Sequence, residues 1–186
     1  MENKKVLVAM SGGVDSSASA ILLKQQGYTV IGATMQILED DNGAIEDAKK
    51  VCEKLDIPHH VLDCKKEFNE HVINYFKETY IKGQTPNPCI QCNTFLKFGA
   101  FFEYAEKLDC DYMATGHYAK TEFDNTYNTH VIKKARNKSK DQSYVLYGIN
   151  KEKISKLIFP LGEFEDKEQT RRLLTNEGLD ILSKKN

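Results

Sequence analysis

Apolar and polar positions along the 186-residue chain fall into short runs whose period changes repeatedly. "KVLVAM" (5–10) is continuously apolar, as a strand buried on both faces of a parallel sheet should be. After Gly12 and Gly13, the apolar positions Val14, Ala18, Ile21 and Leu22 follow helical spacing, predicting a helix from about Asp15 that Gly27 closes. "YTVIGATM" (28–35) predicts a second strand, residues 44–55 a second helix, and "HHVLDC" (59–64) a third strand. The stripe Phe68, Val72, Ile73, Phe76, Tyr80 predicts a helix ending near Gly83. A further stripe, Phe98, Phe101, Phe102, Ala105 and Leu108, predicts a helix that starts just after Cys89 and Cys92, and "CDYMATGHY" (110–118) a fourth strand. Strands and helices alternating in this way predict an α/β fold with a doubly wound parallel sheet. Ligands of such sheets bind at the carboxyl ends of the strands, near the point where the strand order reverses.

Past Tyr118 the pattern changes. "YAKTE" and "THVIKK", separated by "FDNTYN", predict a β-hairpin. Asp166 and Gln169 form an N-cap and N3 pair for a last helix through about Glu177, stopped by Gly178, and the closing "SKKN" reads as charged and structureless. Residues 1–118 are therefore expected to form the main α/β unit, with 119–186 adding a small hairpin and a helical C-terminal extension to the same domain. There is no internal repeat, and no second domain is predicted.

Composition narrows the partners only a little. The net charge of −1 gives the whole chain no attraction for polyanions, so any such site must come from local clustering. Lys133, Lys134, Arg136, Lys138 and Lys140 form one such cluster, with no acid among them; it is either a phosphate-contacting segment or a solvated loop. No window approaches the length of a membrane-spanning helix, and the N-terminus runs directly into a strand without a leader, so no membrane contact is expected. The cysteines (Cys52, Cys64, Cys89, Cys92, Cys110) are odd in number and lack framework spacing, which points to a reducing cytoplasm. Cys52, Cys64 and Cys110 fall within helix or strand patterns and read as core residues. His59, His60, His71 and His130 lack metal-ligand spacing, and structural roles are expected for them.

"VAMSGGVDSSASA" (8–20) is the most informative stretch. A strand feeds a Ser-Gly-Gly turn and then a helix, so backbone N–H groups can turn toward an anion while the helix N-terminus adds positive charge. No Gly-Lys-Ser/Thr follows, so this is not a Walker A loop, and it is not the dinucleotide Gly-x-Gly-x-x-Gly. The pattern resembles the PP-loop of the ATP pyrophosphatase superfamily, whose members split ATP between the α- and β-phosphates. The resemblance implies that Ala9, Met10, Ser11, Gly12, Gly13, Val14, Asp15 and Ser16 hold ATP, with Met35 beside the adenine. Asp15, as a like charge, is expected to act through Mg²⁺ or as an N-cap rather than on phosphate directly.

"TPNPCIQCNTFLKFGAF", "ATGHYAK", "SKDQSYVLY" and "FPLGEFEDKEQTR" together resemble the MnmA-type tRNA-specific 2-thiouridylases, in order and across essentially the whole chain. That family implies ATP-dependent thiolation of the wobble uridine, position 34, of tRNA. The C2 oxygen is adenylated, a cysteine persulfide delivers sulfur to C2, and AMP departs. Matched residue by residue, Cys92 is the catalytic cysteine and Gly116 a nucleotide-binding position. Asn87, Pro88, Cys89, His117, Lys140, Asp141 and Gln142 are tRNA-contacting positions. The implied partners are tRNA and a persulfide donor, either a cysteine desulfurase or a relay protein. Cys92, taken to precede a helix, is expected to have its thiol pKa lowered by the helix dipole. Lys97, one turn further on, is either a partner for thiolate or phosphate or an exposed lysine.

Two departures from the family bear on mechanism. Much of the family has Asp at the position of Cys89. A Cys-x-x-Cys can hold half a zinc site, form a disulfide, or, with one further cysteine, ligate a 4Fe–4S cluster. The family's second catalytic cysteine, the persulfide carrier, follows a segment like "GLDILSKKN", where this sequence ends; the expectation is a chain truncated before that cysteine. The competing functions are another PP-loop enzyme, either a carboxylate-adenylating ligase or a lysidine-type tRNA modifier, and a non-catalytic tRNA-binding fragment.

Overall fold

The computed structural model describes residues 4–40 and 43–179; the "SKKN" tail lies outside them. The strands are β1 (Lys5–Ala9), β2 (Thr29–Gln36), β3 (His59–Asp63), β4 (Tyr112–Ala114), β5 (Ala119–Asp124), β6 (Thr129–Lys134) and β7 (Leu157–Ile158). Five of them form one sheet in the order β3-β2-β1-β4-β7, with every neighbouring pair parallel, while β5 and β6 form the antiparallel hairpin. The helices are α1 (Val14–Gln25), α2 (Ala44–Lys54), α3 (Lys65–Ile81), α4 (Pro88–Lys107) and α5 (Lys167–Asn176), with short 3₁₀ turns between β6 and α5. Successive side chains of β1 face opposite layers: Val6 and Val8 pack with α1 and α2, Leu7 with the aromatic face of α4, and all three are fully buried. The chain winds from β1 outward to β3 and then returns to place β4 on the other side of β1. The switch point thus lies between β1 and β4.

Several boundaries differ from the sequence reading, each for a physical reason. The fourth strand is three residues long rather than nine, because the chain leaves the sheet at Thr115 to run over the N-terminus of α1. Helix α4 begins before the cysteines, not after them. The Asn87 side chain caps it by accepting from the Ile90 N–H at 3.4 Å, and Pro88 occupies the first helical position, where its missing N–H costs nothing. The apolar stripe marks only the later, buried half of this helix. Between Cys92 and Ala100 the helix widens to π geometry, as α3 does between Asn69 and Asn74. Strand β7, with two residues, is too short to leave a pattern, yet it completes the sheet by pairing with Met113 and Ala114. The last helix has the predicted cap: Asp166 Oδ1 accepts from the Gln169 N–H at 2.9 Å, and Gly178 follows with φ of +66°.

Candidate active site

A cleft opens at the carboxyl ends of β1 and β4, lined by Ala9, Met10, Ser11, Asp15, Ser16, Met35, Lys97, Thr115, Gly116, His117 and Gln142. Ser11, Asp15 and Ser16 of the Ser-Gly-Gly loop line it, Gly12 and Gly13 do not, and internal hydrogen bonds hold the loop in shape. Ser16 Oγ accepts from the Ser11 N–H at 3.2 Å and donates to the Gly13 carbonyl at 3.1 Å, while Ser17 Oγ donates to the same carbonyl at 2.8 Å. Gly12 has φ of +71°, and a β-carbon there would lie 2.8 Å from that of Asp47 in α2, so only glycine lets the loop tuck under that helix. Gly116 serves the other wall: a β-carbon there would lie 2.9 Å from the Asp15 carbonyl carbon and 3.0 Å from the Ser16 nitrogen. The loop after β4 therefore rides directly on the first turn of α1. Val14 is buried in the core and does not line the cleft.

Asp15 does not cap α1. The N-cap is Gly13, with no side-chain hydrogen bond, and Asp15 sits in the first turn with its Oδ1 accepting from the Tyr118 hydroxyl at 3.1 Å. That hydroxyl also lies 3.3 Å from Thr170 Oγ1 of α5, which is fully buried. Sequence reasoning missed Tyr118 and Thr115, although both lie within or beside "ATGHY", the motif that carried Gly116 and His117. Tyr118→Phe is expected to cost about 1–2 kcal/mol of stability, because Thr170 loses its partner. Thermal melts of the two proteins measure the loss.

His117 is buried, with Nδ1 2.7 Å from Thr115 Oγ1 and its ring packed against Phe98 and Phe159. It can meet only a ligand that enters the cleft. Burial, assisted by nearby Lys97, pushes its pKa down to about 3, so the folded state holds a neutral imidazole. The unfolded chain binds a proton near pH 6.5 and the folded one does not, so the His117 contribution to stability is intact above that pH and is lost on acidification. Stability should fall by about 2 kcal/mol between pH 6.5 and pH 5 in the wild type, and less in His117→Asn, as read from urea unfolding.

Gln142 Oε1 accepts from the Tyr118 N–H at 3.0 Å and the Gln142 N–H donates to the Tyr118 carbonyl at 2.9 Å, pinning the wall of the cleft. Asp141 is occupied locally: its Oδ1 accepts from the Ala135 N–H at 2.8 Å and its Oδ2 from the Ser143 hydroxyl at 2.8 Å. Lys140 is exposed on the preceding turn. Within the basic run, Lys133 pairs with Glu122 and Arg136 with Glu165, leaving Lys134, Lys138 and Lys140 without an ion pair among the described residues.

Neither cysteine of the pair lines the cleft. Asn87 and Pro88 form the start of α4, Cys89 is exposed in its first turn, and this turn packs against the 3₁₀ turn after Gln142. Cys92 is half-buried in an apolar cluster with Cys64, Val72 and Leu96. The expected lowering of its pKa by the helix dipole is not found. Cys92 lies a full turn inside α4, and burial pushes its thiol up, with Lys97 pulling in the opposite direction and Cys89 adding to the rise. Burial pushes Cys52 and Cys64 up to about 12, as core thiols. Among the described residues no three His, Cys, Asp or Glu side chains converge as metal ligands, so the Cys89–Cys92 pair finds no third ligand for a cluster and no zinc site. The histidines have structural partners: His59 with Thr34, His60 with Tyr104, His71 stacked on Phe95, and His130 against Phe123.

A parallel sheet with a Ser-Gly-Gly anion loop at its switch point defines an α/β nucleotide-binding domain of the PP-loop kind. The family described as the tRNA methyl transferase HUP domain matches residues 4–186, and the chain belongs to it. It is 47% identical to the tRNA-specific 2-thiouridylase MnmA of Caldicellulosiruptor saccharolyticus over 194 residues, covering 97% of this chain and 54% of that protein. With the MnmA of Clostridioides difficile it shares 44% identity, over 98% of this chain and 53% of the relative. The chain thus spans about half the length of the curated relatives it matches. Among solved structures, a 4-thiouridine synthetase in complex with RNA and bound ATP has the same fold, with a TM-score of 0.64 at 16% identity, covering 98% of this chain and 43% of the other. No helix among the described residues is long and apolar enough to cross a membrane.

Proposed function

We propose that this chain is the ATP-activating portion of a tRNA 2-thiouridylase that acts on the wobble uridine. The observation that carries the reading is the cleft itself. It joins a phosphate-shaped loop on α1 to the helix of Cys92 through Lys97, so an activating site and a sulfur site share one wall. The relatives of nearly half identity are named for this activity, which favours thiolation over the methyl transfer in the family's description.

In this reading the terminal phosphates of ATP lie on the N–H groups and hydroxyls of Ser11–Ser16, with the adenine toward Met35 and Gly116. Asp15, oriented by Tyr118, is the carboxylate suited to hold Mg²⁺, which would offset the charge of the phosphates. The C2 oxygen of uridine 34 attacks the α-phosphorus and pyrophosphate leaves along the loop. The outer sulfur of the donor's cysteine persulfide then attacks C2, and AMP departs with the adenylated oxygen. The Cys92 thiolate attacks the donor cysteine's sulfur, so the S–S bond breaks to leave 2-thiouridine and a disulfide between Cys92 and the donor. The anticodon loop meets Asn87, Pro88 and Cys89 on one rim and Lys140, Asp141 and Gln142 on the other, with His117 inside the cleft. Exposed Tyr144 and Tyr147 beside that rim offer faces on which unstacked bases can lie. A cysteine desulfurase or relay protein supplies the persulfide, and the cytoplasm is the setting.

Release of AMP and pyrophosphate from Mg²⁺-ATP, with and without tRNA, tests this. Stimulation by tRNA supports it. Stimulation by carboxylate substrates, with none by tRNA, would replace it with a ligase.

A further inference from the structure

Among the described residues, Lys97 is the one cationic side chain on the wall of the cleft, facing a substrate that carries about four negative charges at neutral pH. It is half-buried, and among the described residues no carboxylate pairs with it and no hydrogen bond holds it. An ammonium kept partly out of water without a partner loses hydration for no local return, which makes sense when a ligand supplies the missing anion. The Ser-Gly-Gly loop brings no lysine of its own.

The local helix geometry explains how one lysine reaches two places. In an α-helix, residues five apart point about 140° away from each other. Between Cys92 and Ala100 the helix is π, with hydrogen bonds closed over five residues, which turns Lys97 closer to the side of Cys92 than an α-helix would. Its charge accordingly reaches both the Cys92 thiol and the His117 imidazole, the first outside the cleft and the second within it.

We propose, on the reading of the cleft given above, that Lys97 is a catalytic residue for both halves of the reaction. Its ammonium contacts the α-phosphate of ATP opposite the Ser-Gly-Gly loop, and then stabilises the Cys92 thiolate beside the adenylated base. The loop takes the β- and γ-phosphates, and the α-phosphate is the one left facing the helix of Cys92.

Binding of ATP, ADP, AMP and adenosine to the wild type, Lys97→Met and Lys97→Arg, by calorimetry with Mg²⁺, tests the first half. Lys97→Met should weaken ATP, ADP and AMP by the same factor, about tenfold or more, leaving adenosine unchanged, and Lys97→Arg should restore most of the loss. A loss confined to ATP, an equal loss for adenosine, or no loss at all would overturn the assignment. A wild type that fails to bind ATP would overturn the nucleotide site itself, a different failure from a Lys97→Met variant that binds normally. For the second half, alkylation of Cys92 by iodoacetamide is followed in a Cys89→Ser background. Lys97→Met should slow it several-fold at neutral pH, and an unchanged rate would overturn the pairing with sulfur.

Discussion

Cys92→Ser should reduce formation of 2-thiouridine by about a thousandfold or more, with ATP affinity unchanged. The two halves of that expectation rest on different observations. Cys92 lies outside the cleft wall, so its replacement removes nothing that a nucleotide touches. Cys92 is only half-buried at the edge of its apolar cluster, so a serine of similar size costs little there and the fold should persist. A serine oxygen cannot break the persulfide S–S bond at useful rates, so the loss falls on sulfur transfer alone. Thiolated nucleoside measured after digestion of the tRNA, beside the burst of pyrophosphate released in the same samples, separates the steps. Because burial holds the wild-type thiol up, sulfur transfer should also quicken with rising pH through the mildly alkaline range, as the thiolate fraction grows. Equal loss of the pyrophosphate burst and of thiolation would place Cys92 in the activating site instead.

Gly116→Ala should weaken ATP binding by about a hundredfold, equivalent to about 2.7 kcal/mol. The added methyl group would meet backbone atoms: the Asp15 carbonyl carbon at 2.9 Å, its oxygen at 3.0 Å and the Ser16 nitrogen at 3.0 Å. None is the far end of a flexible side chain, so either the loop after β4 lifts or the first turn of α1 shifts. Either movement disturbs Ser16, whose hydroxyl ties Ser11 to Gly13, and the anion loop loses its shape. The cost to stability should be smaller, about 1–3 kcal/mol, because the strain lies at the rim of the sheet and not in its core. Titration with nucleotide and a urea melt of the same variant give both numbers. An alanine variant that binds ATP normally would mean that Gly116 marks a turn and not the nucleotide wall.

The strand–helix alternation was legible because each element has its own period, and Val6, Leu7 and Val8 are buried on both faces as a continuous apolar run requires. The loop at Ser11–Ser16 was legible because a glycine pair between strand and helix has few other uses. What escaped was structure without periodic burial. The first turn of α4 exposes Cys89 and is set by Asn87 and Pro88, so an apolar stripe beginning at Phe98 dates the helix too late. The π turn leaves no sequence signal at all, although the spacing already set Lys97 one turn beyond Cys92. Tyr118 could have been found only through Asp15, 103 residues away. Cys-x-x-Cys spacing also says nothing of a third thiol, and the fold sends Cys52 into the core beneath Gly32.

The central claim is that the C2 oxygen of uridine 34 attacks the α-phosphorus in this cleft. Transfer RNA carrying ¹⁸O at that oxygen, incubated with Mg²⁺-ATP and a persulfide donor, tests it through the mass of the AMP released. The account predicts AMP heavier by one ¹⁸O, formed in step with 2-thiouridine. Unlabelled AMP accompanying 2-thiouridine would contradict it.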